Sequence, residues 1–147
     1  MTEALLQQSI VQHFKTMYSP LMIESSWNGI NLSPMTQVQK AKIMLDFYGQ
    51  GGIKGSSDLK VYLPDMKMLH IELKKPSIAD GKGQSPSQVK VQKRLEAIGH
   101  KYYLVNSSEK FFKIINDNLS LEYRQELLEN YSGEYTTEMV KKQYNLE

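Results

Sequence analysis

The chain has 147 residues, of which 40% are hydrophobic and 23% are charged, and this length and composition predict one globular domain with a single core. It contains no cysteine and three dispersed histidines, which excludes disulfides and thiolate zinc sites and leaves oxygen as the main ligand for any metal. No apolar run approaches the ~18 residues that a membrane span requires, and no signal-peptide pattern opens the sequence. We therefore expect a soluble, intracellular protein without a membrane partner.

Charge is unevenly distributed along the sequence. The formal net charge is only +2, but residues 54–101 carry ten Lys and Arg against five Asp and Glu, whereas residues 102–147 carry five against eight. A basic central segment attracts an anionic partner such as a nucleic acid. The alternative is that these charges simply form a solvated surface.

The first half of the chain predicts two helices separated by a short strand. Apolar residues recur at helical spacing over 3–17, after a capping candidate at Thr2, and again over 35–48. Between the helices, a strand that starts near residue 21 runs into an Asn-Gly turn at 28–29. The glycine-rich stretch 49–55 interrupts the second helix, and it allows the chain to turn or another backbone to come close.

The second half predicts a β-hairpin, a helix, a strand and a further helix. The helix after the hairpin begins near residue 85 and stops at Gly99, a strand follows at 100–107, and a serine-capped helix follows at 108–119. The acidic segment 121–147 contains helical pieces that either pack on the domain or form a dimer contact. This order predicts a mixed α/β fold with a small central sheet flanked by helices.

The predicted hairpin restricts its own register. Its two strands carry alternating apolar residues, namely Leu59, Val61, Leu63, Leu69, Ile71 and Leu73. Burying all of them on one face allows a loop of either three residues, 64–66, or five residues. In both registers the other face collects Asp58, His70, Glu72 and Lys74.

Asp58 and Glu72 would therefore lie side by side, and two such carboxylates raise each other's pKa. A divalent cation such as Mg²⁺ or Mn²⁺ would stabilise the pair, with the backbone carbonyl oxygen of Leu73 as a further ligand. Lys74 would then polarise a water molecule or stabilise charge on a phosphate. The structural alternative is that Asp58 caps a turn, while Glu72 and Lys74 belong to an ordinary charged face of the sheet.

An Asp followed by a hairpin and Glu-x-Lys resembles the signature of the PD-(D/E)xK nuclease superfamily, with Ser57 in place of the usual proline. More narrowly, the chain resembles the stand-alone VRR-NUC nucleases of the small phage and bacterial type. The family's opening helix, Asn-Gly turn, Asp strand, Glu-x-Lys strand and final helix-strand unit correspond to EALLQQSIVQHF, WNG, GSSDLKVYL, IELKKP and QSPSQVKVQKRLEAIGHKYYLV.

The resemblance implies a PD-(D/E)xK, restriction-endonuclease-like core over residues 1–120, with a C-terminal helical extension at 121–147. It also implies that Asp58 and Glu72 bind Mg²⁺ or Mn²⁺ and that Lys74 assists catalysis.

Two further residues acquire a supporting role at the site through the same resemblance. They are Glu3, in the opening helix, and Gln88, in the helix after the hairpin. The alternative for Glu3 is an ordinary favourable charge at a helix N-terminus. The alternative for Gln88 is a helix-surface amide.

The implied activity is that of a homodimeric, metal-dependent DNA endonuclease that hydrolyses phosphodiester bonds in branched DNA such as four-way (Holliday) junctions. Its implied location is the cytoplasm of a bacterial cell or a phage-infected host. Basic residues of the central segment would contact DNA phosphates without reading sequence, and the candidates are Lys54, Lys75, Lys90, Lys93 and Arg94.

Other hypotheses about the function fit the same residues. One is a less selective nuclease or nickase on the same fold, and another is a non-catalytic DNA-binding protein. Tyr102 and Tyr103 either stack on bases or belong to the core of the last strand.

Overall fold

Five helices and four strands make up the described part of the chain. The computed structural model describes residues 1–26 and 33–131, with residues 130 and 131 described by their backbone alone, so the predicted Asn-Gly turn at 28–29 lies outside the described residues. No helix of the described part has the length and apolar character needed to cross a membrane. The elements are α1 (Glu3–Met17), β1 (Met22–Ser25), α2 (Gln37–Gly49), β2 (Leu59–Leu63), β3 (Lys67–Leu73), α3 (Pro86–Ala97), β4 (Lys101–Val105), α4 (Ser108–Asp117) and α5 (Leu121–Tyr131).

The four strands form one mixed sheet in the order β1-β2-β3-β4. Strands β1, β2 and β3 are antiparallel neighbours, whereas β4 runs parallel to β3. Leu59 lies opposite Ile71, which leaves residues 64–66 as the hairpin loop and confirms one of the two predicted registers. Asp65 and Met66 close this loop with positive φ angles of 63° and 60°.

One face of the sheet packs against helices α1 and α4. The Thr2 side chain caps α1 as predicted, because its Oγ1 accepts a hydrogen bond from the Leu5 N–H at 3.2 Å. Buried apolar side chains fill the layer between helices and sheet: Leu6, Ile10 and Phe14 from α1, Phe111 and Ile115 from α4, and the alternating apolar residues of β2 and β3. The predicted mixed α/β architecture is confirmed, and it gives the hairpin a rigid support.

Helices α2 and α3 form where the sequence predicts them, but neither buries any residue. Val38 of α2 is 80% exposed and Ile98, at the end of α3, is 73% exposed, whereas Ile43 and Leu95 are half-buried, so the apolar stripe of each helix is only partly covered. Both helices begin with a capping box, at Thr36 and at Ser85. Local capping, rather than burial of an apolar face, therefore determines where each helix begins.

The described part of the C-terminal extension packs on its own domain. Leu127 is 7% exposed and joins the core together with Leu119. Leu121 and Leu128 of the same helix are 67% and 62% exposed. The predicted dimer contact stays a prediction.

Candidate active site

The hairpin brings Asp58 and Glu72 to the same end of the sheet. Asp58 directly precedes β2, and its Oδ2 accepts a hydrogen bond from the Leu73 N–H at 2.7 Å. The N–H and C=O of one residue in an extended strand point to the same side. The Leu73 carbonyl oxygen therefore lies on the Asp58 side of β3, where the predicted metal ligand would have to be.

Gln88 connects helix α3 to this pair. Its Oε1 accepts a hydrogen bond from the Ser85 N–H at 2.9 Å, which is one half of the capping box that begins the helix. The same oxygen accepts from Lys74 Nζ at 3.1 Å, and Gln88 Nε2 donates to Glu72 Oε1 at 2.5 Å. The structure thus places Gln88 beside Glu72 and Lys74 and not on a free helix surface.

Glu72 is buried and only partly satisfied. Its residue is 2% exposed, and Lys74 Nζ lies 3.4 Å from its Oε1. Its second oxygen, Oε2, is buried without any hydrogen-bond partner. Burial is the main cause that raises the pKa of Glu72 to about 8, and the neighbouring Asp58 raises it further. A carboxylate in such a position is unfavourable unless a proton or a cation neutralises it.

The negative charges around Asp58 form a small cluster. Burial raises the pKa of Asp58, and the charge of Glu3 adds to this effect, while Lys74 opposes it. Glu3 lies in the first turn of α1 and is exposed, so the structure places it within electrostatic reach of Asp58. Its predicted supporting role has this proximity as its structural basis.

The loop that precedes Asp58 packs closely against the backbone at the start of helix α3. Gly55 has a φ of 83°, and a Cβ atom built on it would lie 2.5 Å from the Ser87 carbonyl carbon and 2.9 Å from the Gln88 nitrogen. Only a glycine fits here without displacing the start of α3. One of the two roles predicted for the glycine-rich stretch, close approach of another backbone, is confirmed at this position.

The five basic residues predicted to contact DNA are all exposed: Lys54, Lys75, Lys90, Lys93 and Arg94. None of them forms an ion pair with a carboxylate of residues 1–26 or 33–131. Three of them lie on α3, the helix whose first turn carries Gln88. Their charge is therefore available near the site, and DNA contact stays a prediction.

Two further groups lie at this face. The first is Tyr102 of β4, for which the sequence left base stacking and the strand core as alternatives. It pairs with His70 and is 8% exposed, so base stacking is wrong for Tyr102 and the core alternative is confirmed. The second is a hydrogen-bond network of three side chains. His70 Nε2 lies 3.0 Å from His100 Nδ1, and His70 Nδ1 lies 3.5 Å from Ser57 Oγ. Burial, followed by His100 and Lys60, lowers the pKa of His70 to about 4.

No signal in the local sequence reveals these neighbours. Strand alternation places His70 on the face of Glu72, but it does not say that β4 pairs with β3 in parallel. That pairing, rather than any motif, brings Tyr102 to the site face.

The residues present fit a cation bound by oxygen. Within residues 1–26 and 33–131, no group of three or more His, Cys, Asp or Glu side chains is arranged to hold a metal ion. Asp58, the unpaired Oε2 of Glu72 and the Leu73 carbonyl nevertheless form a donor set that Mg²⁺ or Mn²⁺ accepts when water fills the other positions. The buried, unpaired carboxylate oxygen is the feature that favours a cation here.

Comparison with known proteins supports the fold. No protein-family model matches the sequence, and no curated protein matches it significantly. Among solved structures, a protein described as a VRR_NUC domain protein matches with a TM-score of 0.55 and 20% sequence identity, over 81% of this chain and 88% of that chain. This chain therefore has the fold of a VRR-NUC domain, as its motifs predicted.

Proposed function

We propose that this protein is a metal-dependent DNA endonuclease that hydrolyses phosphodiester bonds. The observation that carries the proposal is the arrangement around Glu72. A buried carboxylate with one unpaired oxygen lies beside a second carboxylate, Asp58, and 3.4 Å from the ammonium group of Lys74. Such an arrangement is costly for folding alone, and it suits a cation that binds a phosphodiester.

Asp58, Glu72 and the Leu73 carbonyl would hold the cation, which we expect to be Mg²⁺ or Mn²⁺. When bound, such a cation withdraws charge from the scissile phosphate and makes water a better nucleophile. The raised pKa values of Asp58 and Glu72 support this assignment, because burial is the main cause of both shifts and a nearby positive charge would offset the cost of ionising buried carboxyl groups.

Lys74 and Gln88 would position the reacting groups. Lys74 Nζ is held by Gln88 Oε1 and Glu72 Oε1, so its remaining N–H groups can donate to a phosphate oxygen or orient the attacking water. Hydrolysis then forms a bond from the water oxygen to phosphorus and breaks the bond from phosphorus to one ester oxygen. The attacking water loses a proton to solvent, and the leaving oxygen takes a proton and departs as a sugar hydroxyl. Glu3 would add negative charge beside Asp58 and strengthen cation binding.

The substrate we propose is DNA, held through its phosphates by the basic side chains of the central segment. Those on α3 lie on the helix that carries Gln88, so a duplex bound there would place a phosphate near the carboxylates. Contacts of this type position DNA without reading its sequence. The preference for branched DNA such as four-way junctions, action as a homodimer and a cytoplasmic location belong to the proposal through the resemblance to VRR-NUC nucleases.

The decisive experiment compares cleavage of a synthetic four-way junction with cleavage of a linear duplex of the same sequence, with Mg²⁺, Mn²⁺ or EDTA. We expect cleavage with either cation, no cleavage with EDTA, and preference for the junction. Comparable cleavage of both substrates would favour a less selective nuclease or nickase. Binding without any cleavage would favour a non-catalytic DNA-binding protein. Full activity of Asp58→Ala would contradict the site assignment.

The proposed homodimer needs a separate test. Light scattering of the full chain is expected to give twice the mass of one chain, 16.9 kDa. If α5 forms the contact, replacing its exposed Leu128 with Lys should yield a monomer without lowering the melting temperature, since this side chain is 62% exposed. A monomeric wild-type protein would exclude the dimer.

A further inference from the structure

Two buried side-chain oxygens lack a hydrogen-bond partner within the described residues, and both lie at the proposed active site. They are Oε2 of Glu72 and the hydroxyl of Tyr102. Buried polar groups are nearly always paired, so an unpaired one indicates a missing partner. Since the two oxygens do not pair with each other in the structure and both lie at one site, a shared partner would satisfy both.

Strand pairing explains why Tyr102 reaches Glu72. Strand β4 runs parallel to β3 with Tyr102 beside His70 and Leu104 beside Glu72. Side chains alternate along both strands, so Tyr102, His70 and Glu72 lie on the same face of the sheet. Glu72 is then the diagonal neighbour of Tyr102, a separation that a long aromatic side chain can bridge.

The hydroxyl of Tyr102 is suited to donate to a charged carboxylate. Burial is the main cause that raises the pKa of Tyr102, the charge of Glu72 raises it further and the nearby Gln84 side chain opposes the shift, so the hydroxyl keeps its proton. No atom of Gln84 lies at hydrogen-bond distance from this hydroxyl. Glu72 Oε1 already accepts from Gln88 and lies near Lys74, which leaves Oε2 as the oxygen without a donor. A carboxylate oxygen has room for both a cation and a hydrogen bond.

We propose that Tyr102 is a positioning residue for Glu72: its hydroxyl donates a hydrogen bond to Glu72 Oε2 through one buried water, and so orients the carboxylate toward the cation. The proposal rests on the proposed function, because it needs a cation at Asp58 and Glu72. Ligating carboxylates are commonly held by such hydrogen bonds, and loss of one typically weakens metal binding.

Tyr102→Phe tests the proposal, with Tyr103→Phe as its matched control. The Tyr103 hydroxyl accepts a hydrogen bond from Asn118 Nδ2 at 3.3 Å, and it lies on the opposite face of the sheet. Mn²⁺ affinity of the full chain is measured by calorimetry without DNA. We expect about 10-fold weaker binding for Tyr102→Phe and an unchanged affinity for Tyr103→Phe. The melting temperature of metal-free Tyr102→Phe should change little, because no side chain of the described residues lies at hydrogen-bond distance from the lost hydroxyl.

A second measurement keeps the test decisive if Tyr102→Phe does not fold. Addition of Mg²⁺ to wild-type protein should change the near-ultraviolet absorption of tyrosine, as a hydroxyl donates to a newly ordered carboxylate, and Tyr103→Phe should retain this change. Mn²⁺ binding by the wild type without any tyrosine change, or with equal affinity in Tyr102→Phe, would overturn the role of Tyr102 alone. A wild-type protein that binds no Mn²⁺ would overturn the proposed function, and the role of Tyr102 with it.

Discussion

Gln88 on α3 and Glu72 on β3 are joined by a hydrogen bond of 2.5 Å from the amide nitrogen Nε2 to the carboxylate oxygen Oε1. The same amide accepts a hydrogen bond from the Ser85 N–H, so it cannot rotate without opening the capping box. The first turn of a helix and the orientation of a buried carboxylate therefore depend on each other. The first turn of α3 is therefore part of the candidate active site.

Replacing Gln88 with Ala is expected to lower DNA cleavage by about 10- to 100-fold, because loss of a partner that orients a metal-ligating carboxylate has an effect of this size. The measurement is single-turnover cleavage at saturating Mg²⁺. Gln92→Ala is the matched control, since Gln92 lies on the same helix and bonds with Gln84 rather than with Glu72. Equal cleavage by the two variants would show that Gln88 caps α3 and has no role in orienting Glu72.

Stability without metal should fall as the pH rises toward 8. The pKa of Glu72 is raised to about 8 in the folded protein, so the folded state holds a proton that the unfolded state releases near its ordinary pKa of 4.5. The contribution of Glu72 is thus fully present below about pH 4.5 and is lost as the pH passes 8, with a slope approaching about 1.4 kcal/mol per pH unit between these values.

Urea unfolding in EDTA at several pH values measures this slope, with Glu72→Gln as the reference. This variant should lack the Glu72 component, and its difference from wild type should grow as the pH rises. Added Mg²⁺ should reverse the loss in wild type, since a cation binds the ionised carboxylate. Parallel pH profiles for wild type and Glu72→Gln in EDTA would contradict the raised pKa.

Lys74 and Lys75 are adjacent but should behave differently. Lys74 is 9% exposed and bonds with Gln88, whereas Lys75 is exposed. Lys74→Ala is expected to slow cleavage by about 100-fold or more with little effect on DNA binding. Lys75→Ala should weaken DNA binding modestly at low salt and leave the cleavage rate of bound DNA unchanged. Gel-shift and single-turnover assays separate the two effects, and equal cleavage rates for both variants would contradict the assignment of Lys74.

The exposed basic face of α3 should account for part of the salt dependence of DNA binding. In a variant with Lys90, Lys93 and Arg94 all replaced by Ala, the slope of log affinity against log salt should decrease by about 0.9 for each phosphate contact that is lost. The control is Lys113→Ala on α4, whose side chain pairs with Asp117 at 2.9 Å. Fluorescence anisotropy at several salt concentrations gives the slopes. An unchanged slope in the triple variant would show that DNA phosphates do not contact these three residues of α3.

Gly55→Ala is expected to destabilise the protein more than Gly81→Ala. Both glycines have positive φ angles, which cost an L residue about 1–2 kcal/mol. A Cβ at Gly55 would also overlap the backbone of Ser87, whereas a Cβ at Gly81 would meet nothing within 4 Å. The overlap should add about 1–3 kcal/mol, measured by urea unfolding, and shift Gln88 enough to lower cleavage. Equal destabilisation would show that the loop moves freely away from α3.

The sequence by itself determined the hairpin and the pair of carboxylates on it. Alternation of apolar residues has a period of two, and burying them leaves only registers that place Asp58 beside Glu72. Lys74 follows by the same alternation. These inferences depend on neighbouring positions along two strands joined by a short loop, so local pattern was sufficient.

Only the tertiary structure decided what surrounds that pair. Alternation indicates a polar face but not whether it is covered, and here Glu72 is 2% exposed beside α3. The contacts of Gln88 and the place of Tyr102 depend on how α3 crosses over and how β4 pairs with β3 in parallel. Such pairing is set by packing between distant segments, and no local period in the sequence encodes it.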